Sequence, residues 1–352
     1  MDRKLASVRV VVDIQPIANA DMIECVVVDG WNVVVKKGEF KPGDRCIYFE
    51  IDSLLPIKPE YEFLRKSSYK KADWIQGGEG FRLKTIRLRG QISQGLVIPV
   101  PSDLKAEIGD DLTEALSVTK WDPPVSASLR GEVEGQFPSF IRKTDQERAQ
   151  NLVGDIKRAY DSDELFEVTT KLDGSSCTVY YRDSEIGVCS RNLSLKVDDS
   201  NNDNAFIKVA RETHLIEAIT TLGKNIAVQG ELMGPGVQGN REKLDRLKLF
   251  VYEIFDIDSY KYIRGGEFDK IYHQLVSLGF TGDRVPELDE LTTLKDFLRN
   301  ATGTSCIEKL LSAADGPSLN PSLSREGIVF KSTTRDFSFK VISNAFLLAD
   351  EQ

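Results

Sequence analysis

The chain has 352 residues, 41% of them hydrophobic and 29% charged, with a formal net charge of −9. That length suits two domains with cores of their own, and no apolar stretch is long enough for a membrane span or a secretory leader. Only two histidines (His214, His273) and five scattered cysteines (Cys25, Cys46, Cys177, Cys189, Cys306) are present, which argues against triad chemistry, a zinc site or a disulfide framework and for a reducing compartment.

Residues 7–100 read as an all-β module. Strand-like runs occupy 8–14, 23–28, 31–35 and 45–51, and Asp29-Gly30 is a two-residue hairpin signal. Two more strands are expected over 81–88 and 96–100. Short strands separated by Gly and Pro turns suit a small closed barrel of the OB type. Over 81–89 the cations Arg82, Lys84, Arg87 and Arg89 alternate with apolar residues, with one change of parity near Thr85; Arg65, Lys66, Lys70 and Lys71 precede them. In an acidic protein this clustering reads either as a surface that tracks phosphates or as an edge strand guarded by charge. A short helix or two is expected over 103–116. Residues 121–140, with Pro123, Pro124, Gly131, Gly135 and Pro138, read as a linker. The fold class is therefore α+β, with an OB-like barrel over 1–120 and a mixed α/β domain over 141–352 that opens with a helix at Asp145.

In the second domain, the β-branched run Phe166–Thr170 leads into Lys171-Leu172-Asp173-Gly174, and Cys177–Tyr181 reads as the next strand. A lysine at such a junction is a nucleophile if its amine form is favoured by desolvation or by a metal ion; otherwise it is one charge in a hairpin turn. Gly174 would give the turn its backbone freedom. Four further clusters follow in order: Ser190-Arg191-Asn192 after a strand; Gly230-Glu231-Leu232-Met233-Gly234-Pro235-Gly236; the aromatic strand 249–257 with Tyr252; and Arg325-Glu326-Gly327-Ile328-Val329-Phe330-Lys331, followed by Ser338-Phe339-Lys340-Val341-Ile342.

Over 148–340 this ordered set resembles the covalent nucleotidyltransferases (an ATP-grasp-like ligase domain). With a barrel placed ahead of it, it resembles the Naegleria-type ATP-dependent RNA ligases. Only 12 residues follow Lys340, whereas DNA ligases and capping enzymes place an OB domain there; a DNA ligase and a non-catalytic RNA-binding relative are the alternatives.

The resemblance implies that Lys171 takes AMP from ATP, and that Arg148, Thr169, Asp173, Gly174, Arg191, Glu231, Tyr252, Glu326, Lys331 and Lys340 surround the nucleotide. Asp173, Glu231 and Glu326 would hold the hydration shell of Mg²⁺ or Mn²⁺, or else be surface acids at turns. Arg148 and Arg191 would contact phosphate or ribose, or form ordinary salt bridges. Tyr252 would stack on adenine or simply fill the core. Lys331 and Lys340 would hold the phosphates. The Lys-x-Lys pair of relatives is absent around Lys340, where Ser338 and Ile342 stand, so a second lysine's part falls to Lys331 or is missing. The implied partner is RNA with 3′-OH and 5′-phosphate ends in a nicked or splinted duplex. The enzyme would act as a monomer in RNA repair, in the cytoplasm or nucleus and not outside the cell.

Overall fold

The computed structural model describes residues 3–122 and 132–349. The chain forms two compact units, one of Met1–Pro124 with Gln150–Val153 and Leu347–Gln352, the other of Val125–Ala149 with Gly154–Phe346.

The first unit is built on a five-stranded antiparallel sheet in the order Leu96–Pro99, Arg45–Phe49, Ala6–Pro16, Ile23–Val28, Trp31–Lys36. Asp29-Gly30 turns the expected hairpin: Val28 pairs with Trp31, and Asp29 takes φ 51°, a left-handed conformation that aspartate tolerates. In the strand Arg45–Phe49, the four residues after Arg45 are all buried because both faces are covered. Cys46 and Tyr48 join Val26, Trp31 and Val33, while Ile47 and Phe49 join Val8, Leu55 and Phe81. A four-stranded sheet runs in the order Thr119–Lys120, Ser53–Leu55, Glu79–Arg82, Tyr69–Lys71.

Two expectations for this unit are corrected. Residues 81–88 are not one strand: Glu79–Arg82 belongs to the four-stranded sheet, and Thr85–Leu88 pairs with Gln91–Gln94 in a separate two-stranded sheet. The break comes from burial of Leu83 and Thr85. Leu83 exchanges backbone hydrogen bonds with both Asp52 and Ser53, and the Thr85 hydroxyl accepts one from the Gln94 side-chain amide. The four cations consequently leave a common row. Arg82 lies 3.3 Å from Asp52, Arg87 donates to the Gly90 carbonyl, and Arg89 sits at the hairpin tip with φ 49°. Over 103–116, turns replace the expected helix. The backbone groups a helix would use are taken by the first strand: Leu112 N–H donates to the Ala6 carbonyl at 2.8 Å, and the Asp110 carbonyl accepts from Val8 N–H at 3.1 Å.

The second unit contains two sheets. The larger has the order Val133–Gln136, Leu193–Leu195, Glu185–Cys189, Ser175–Arg182, Ile226–Met233, Lys248–Asp256, Lys261–Ile263, with Asp283–Arg284 alongside Lys248–Asp256. The smaller has the order Glu147–Arg148, Ser338–Ile342, Gly327–Ser332, Leu165–Lys171, Glu287–Thr293. The stretch read as a linker, 121–140, thus contributes Val133–Gln136 to a sheet, while 123–131 lies outside the described residues. No helix opens at Asp145: Glu147–Arg148 pairs in parallel with Phe339 and Lys340, a long-range contact invisible in local sequence, and the helix begins only at Val153.

Each sheet has its own core. On one face of the larger sheet, Val179, Val188, Val228, Val251 and Ile254 pack with Phe206, Ile219 and Leu275 from three helices, Ala205–Glu212, Leu215–Leu222 and Gly265–Ser277. The smaller sheet buries an aromatic face, in which Phe330 and Phe339 stack at 4.8 Å and Phe166 meets both edge-on. Among the described residues, no helix is long and apolar enough to cross a membrane.

Candidate active site

Strand alternation sets out the site. In Leu165–Lys171, the side chains of Phe166 and Val168 enter the buried core, so Glu167, Thr169 and Lys171 take the opposite face. Register extends that face across neighbouring strands. Lys171 pairs with Gly327; Thr169 pairs with Val329, which pairs with Lys340, which pairs with Arg148; Glu167 pairs with Lys331. Thr169, Lys171, Lys331, Lys340 and Arg148 therefore share one side of one sheet.

Lys171 ends its strand, and the chain passes through Leu172-Asp173-Gly174 into Ser175–Arg182 of the other sheet. This is a crossover between sheets and not a hairpin. Gly174 is needed here for close approach, not for a positive φ: a Cβ on it would lie 2.4 Å from the Leu232 carbonyl oxygen and 2.8 Å from Met233 Cγ. Its N–H donates to Glu231 Oε1 at 2.9 Å. Glu326, the residue before Gly327, accepts a hydrogen bond from Lys171 Nζ at 2.6 Å through Oε2.

The charges here compete with desolvation. Burial works to lower the Lys171 pKa, but Glu326, Glu231 and Asp173 outweigh it and hold the ammonium above its ordinary range. Burial likewise pushes the Glu231 carboxyl up to about 8; Lys171 opposes the shift, while Glu326 and Asp173 reinforce it. Three carboxylates thus crowd one amine. Among the described residues, no group of three or more His, Cys, Asp or Glu is gathered closely enough to hold a metal ion directly.

Tyr252 reaches the same face through a bulge. Gln229 pairs with Glu253 and Gly230 with Val251, so Tyr252 is the extra residue in Lys248–Asp256. Its hydroxyl lies 3.0 Å from both Thr144 Oγ1 and Ser176 Oγ, and Ser176 pairs with Glu231. Burial raises the phenol's pKa, with Glu231 adding to the effect.

Lys331 is placed differently from the expectation. Its amine is buried between the sheets, 3.7 Å from Glu167 Oε1 and 3.7 Å from Glu253 Oε1, and donates to the Tyr252 carbonyl. Burial pushes its pKa down to about 8; Glu167 resists, while Arg264 and Arg284 add to the fall. A phosphate contact would require it to leave these partners. Glu167, Glu253 and Arg264 (which pairs with Glu253) were not singled out in the sequence. Their signal was a charge inside an apolar strand, as in Phe166-Glu167-Val168 and Tyr252-Glu253-Ile254.

Lys340 Nζ and Arg191 Nη2 each lie 3.5 Å from an oxygen of Asp145. These long contacts sit at the surface and contribute little energy. Arg148 is buried beside Lys340, and Thr169 is buried one row from Lys171. The structure therefore gathers Lys171, Asp173, Gly174, Glu231 and Glu326, with Tyr252 adjacent. It sets Thr169, Arg148 and Lys340 along one face of the smaller sheet, brings Arg191 to the Asp145 that Lys340 also approaches, and commits Lys331 to the buried cluster.

A lysine at the end of a strand, ringed by carboxylates where two sheets meet and carried with a separate β-module, is the arrangement of a covalent nucleotidyltransferase. The chain belongs to the RNA ligase family: the RNA ligase family model matches residues 164–342, and an OB-fold domain model matches residues 5–100. Among solved structures it is similar to Naegleria gruberi RNA ligase. An apo aspartate-to-alanine mutant is 47% identical, with TM-score 0.88, covering 98% of this chain and 97% of that one. A lysine-to-alanine mutant with ATP and Mn is 45% identical, with TM-score 0.89 and 99% of each chain covered. The ligase with PPi is 46% identical, with TM-score 0.87 and 98% of each covered. A search of curated proteins gave no match.

Proposed function

We propose that the protein is an ATP-dependent RNA ligase that seals a 3′-OH to a 5′-phosphate in three displacements at phosphorus. In the first, Lys171 Nζ attacks the α-phosphate of ATP; the Nζ–P bond forms, the bond to the bridging oxygen breaks and pyrophosphate leaves. In the second, a 5′-phosphate oxygen of RNA attacks the same phosphorus and frees the lysine, leaving a 5′-adenylated strand. In the third, the 3′-hydroxyl attacks that strand's 5′-phosphorus, forming the phosphodiester and releasing AMP. The observation that carries this reading is the 2.6 Å bond from Lys171 Nζ to Glu326 at the crossover, with Glu231 fixed beside it by Gly174 N–H. Solved Naegleria gruberi RNA ligase structures with ATP and Mn and with AMP and Mn support it.

Before it can attack, Nζ must lose the proton that Glu326 Oε2 holds at hydrogen-bond distance. The chain's remaining work is to position the phosphates and shield their charge. Arg148 and Lys340 on the site face, with Arg191 beside Lys340 at Asp145, are the cations set for this, and Thr169 in the strand of Lys171 is a neutral donor. Tyr252 presents its ring for the adenine, its hydroxyl held by Thr144 and Ser176.

The donor set fits a hard divalent cation. Asp173, Glu231 and Glu326 carry more negative charge than one ammonium balances; the Glu231 pKa, raised chiefly by burial, is pushed further by Glu326 and Asp173. These three would hold Mg²⁺ or Mn²⁺ largely through its water shell. When bound, the ion supplies positive charge beside the α-phosphate and favours the amine form of Lys171.

The reading is tested by incubating the protein with ATP labelled at the α-phosphate and Mg²⁺ or Mn²⁺, then denaturing it. The expected result is label retained on the chain through electrophoresis, released by acid, and passed on to 5′-phosphorylated nicked RNA. No retained label with either metal would refute it.

A further inference from the structure

Two tryptophans come together on the barrel unit from separate stretches of chain. Trp74, in the loop after Tyr69–Lys71, meets Trp121, just past Thr119–Lys120, with ring centroids 4.6 Å apart and planes at 68°. The Arg82 guanidinium lies 4.9 Å over the Trp121 ring, completing a row of three groups in which the two indoles meet edge to face. They sit on the outer side of the four-stranded sheet. Phe81 and Leu55 point into the core, whereas Arg82 pairs with Leu54, which pairs with Thr119, and these take the other face. The loop carrying Trp74 is anchored by buried Ile75, whose N–H donates to the Ala72 carbonyl at 3.0 Å and whose carbonyl accepts from Gly78 at 2.8 Å. Trp74 nevertheless keeps 36% of its surface exposed.

The charge of the segment that carries Trp74 and Arg82 runs against the rest of the chain. Residues 65–89 hold eight Lys or Arg against two Asp or Glu, a net of +6 in a protein of −9, so the remainder carries −15. Lys66, Lys71, Arg87 and Arg89 are exposed, and Lys70 and Lys84 half-exposed. A partner for this surface must be polyanionic and must also offer a planar apolar face to an exposed indole. A nucleic-acid strand combines the two, since cations follow its phosphates and aromatic rings stack on its bases whatever their sequence.

We infer that this face of the barrel docks an RNA strand, with Trp74 stacking on an unpaired base and Lys70, which pairs with Gly80 on the Arg82 side of the sheet, following the backbone. Trp121 and Arg82 hold the Trp74 ring in place. The inference rests on the RNA ligase reading, because that makes RNA, and not another polyanion, the occupant.

The test measures affinity of the full-length protein for a fluorescent single-stranded RNA and for the same strand carrying abasic residues. Trp74→Ala should weaken binding of the intact RNA about tenfold or more, as for loss of one stacked base, while Trp74→Phe keeps most of it. Wild type should bind the abasic strand as weakly as Trp74→Ala binds the intact one, and Trp74→Ala should lose nothing more on the abasic strand. Lys70→Ala should flatten the plot of log affinity against log salt by about 0.7 for the phosphate no longer neutralised. Thermal melts of each variant establish that it is folded. Unchanged affinity in Trp74→Ala, or an equal penalty on intact and abasic RNA, would overturn the inference; in the second case the face would be a generic polyanion surface. Labelling of the wild-type chain by ATP without RNA reports on the ligase reading separately. Failure there, with RNA binding as expected, would remove the ligase reading and leave the docking surface standing.

Discussion

Lys171 and Lys331 stand on the same side of the same sheet, each near carboxylates, yet their amines are driven in opposite directions. Desolvation pulls both pKa values down. For Lys171, the leading charges are three carboxylates, and the ammonium is held above its usual range. For Lys331, Glu167 is offset by Arg264 and Arg284, and the pKa falls to about 8. The Lys171 side chain keeps 26% of its surface and Lys331 3%. One site has surplus negative charge and an opening, which suits arriving cations and phosphates. The other is balanced internally and closed, as a joint between sheets must be. Residue type and position on a face did not separate these two lysines; the sum of neighbouring charges does.

The contrast is broken most completely by Lys171→Ala. That variant should take no label from ATP, yet still seal RNA that already carries a 5′-adenylate, because the third displacement does not use the amine. Retained label in the alanine variant would show that another lysine is the nucleophile. The matching change, Lys331→Ala, should act on the fold: removing one partner leaves Glu167 and Glu253 short of counter-charge in the interior, at a cost of about 3–5 kcal/mol in denaturant unfolding. A loss under about 1 kcal/mol would mean that the joint does not depend on this amine.

Glu326→Ala should slow adenylylation by about 2–4 kcal/mol of transition-state stabilisation, the usual cost of one preorganised electrostatic interaction. Single-turnover labelling at saturating ATP and metal measures it, and a near-normal rate would exclude Glu326 from the reaction. The smallest effect is on the pH dependence of stability in the presence of a chelator. The Glu231 pKa is raised in the folded state from 4.5 to about 8. Between these values the folded chain binds more protons than the unfolded one, so the stabilisation is present at low pH and lost as pH rises towards 8. Glu231→Gln, which can still accept from Gly174 N–H, should flatten that fall in melting temperature. An unaltered slope would show that Glu231 does not titrate in that window.

The strand before Lys171, the carboxylate near the end of a strand at Glu231 and the one leading into a strand at Glu326, and the Asp29-Gly30 hairpin were legible because each rests on a local pattern: alternation, a charge at a strand end, a turn residue. What escaped was set by distant partners. The Tyr252–Glu253 bulge places two consecutive side chains on one face, against the alternation by which strands are read. Glu147 and Arg148 are a strand only because Phe339 and Lys340 lie beside them. The break at 83–84 depends on burial of Leu83 against Asp52 and Ser53, and the want of space beside Gly174 depends on Leu232 and Met233. No window around these residues contains those partners.

The three residues between Lys171 and Ser175 are all that joins the end of one sheet's strand to the start of the other's, and this makes the site's two glutamates mechanically unlike. Glu326 adjoins Gly327, which pairs with Lys171 in the same sheet, so amine and carboxylate travel together. Glu231 belongs to the other sheet and is tied to the crossover by Gly174 N–H. Any small slide of one sheet over the other leaves the first distance nearly fixed and is absorbed by the second. The nucleophile thus carries its own reference partner with it, and the tolerance of the joint is taken up at Glu231.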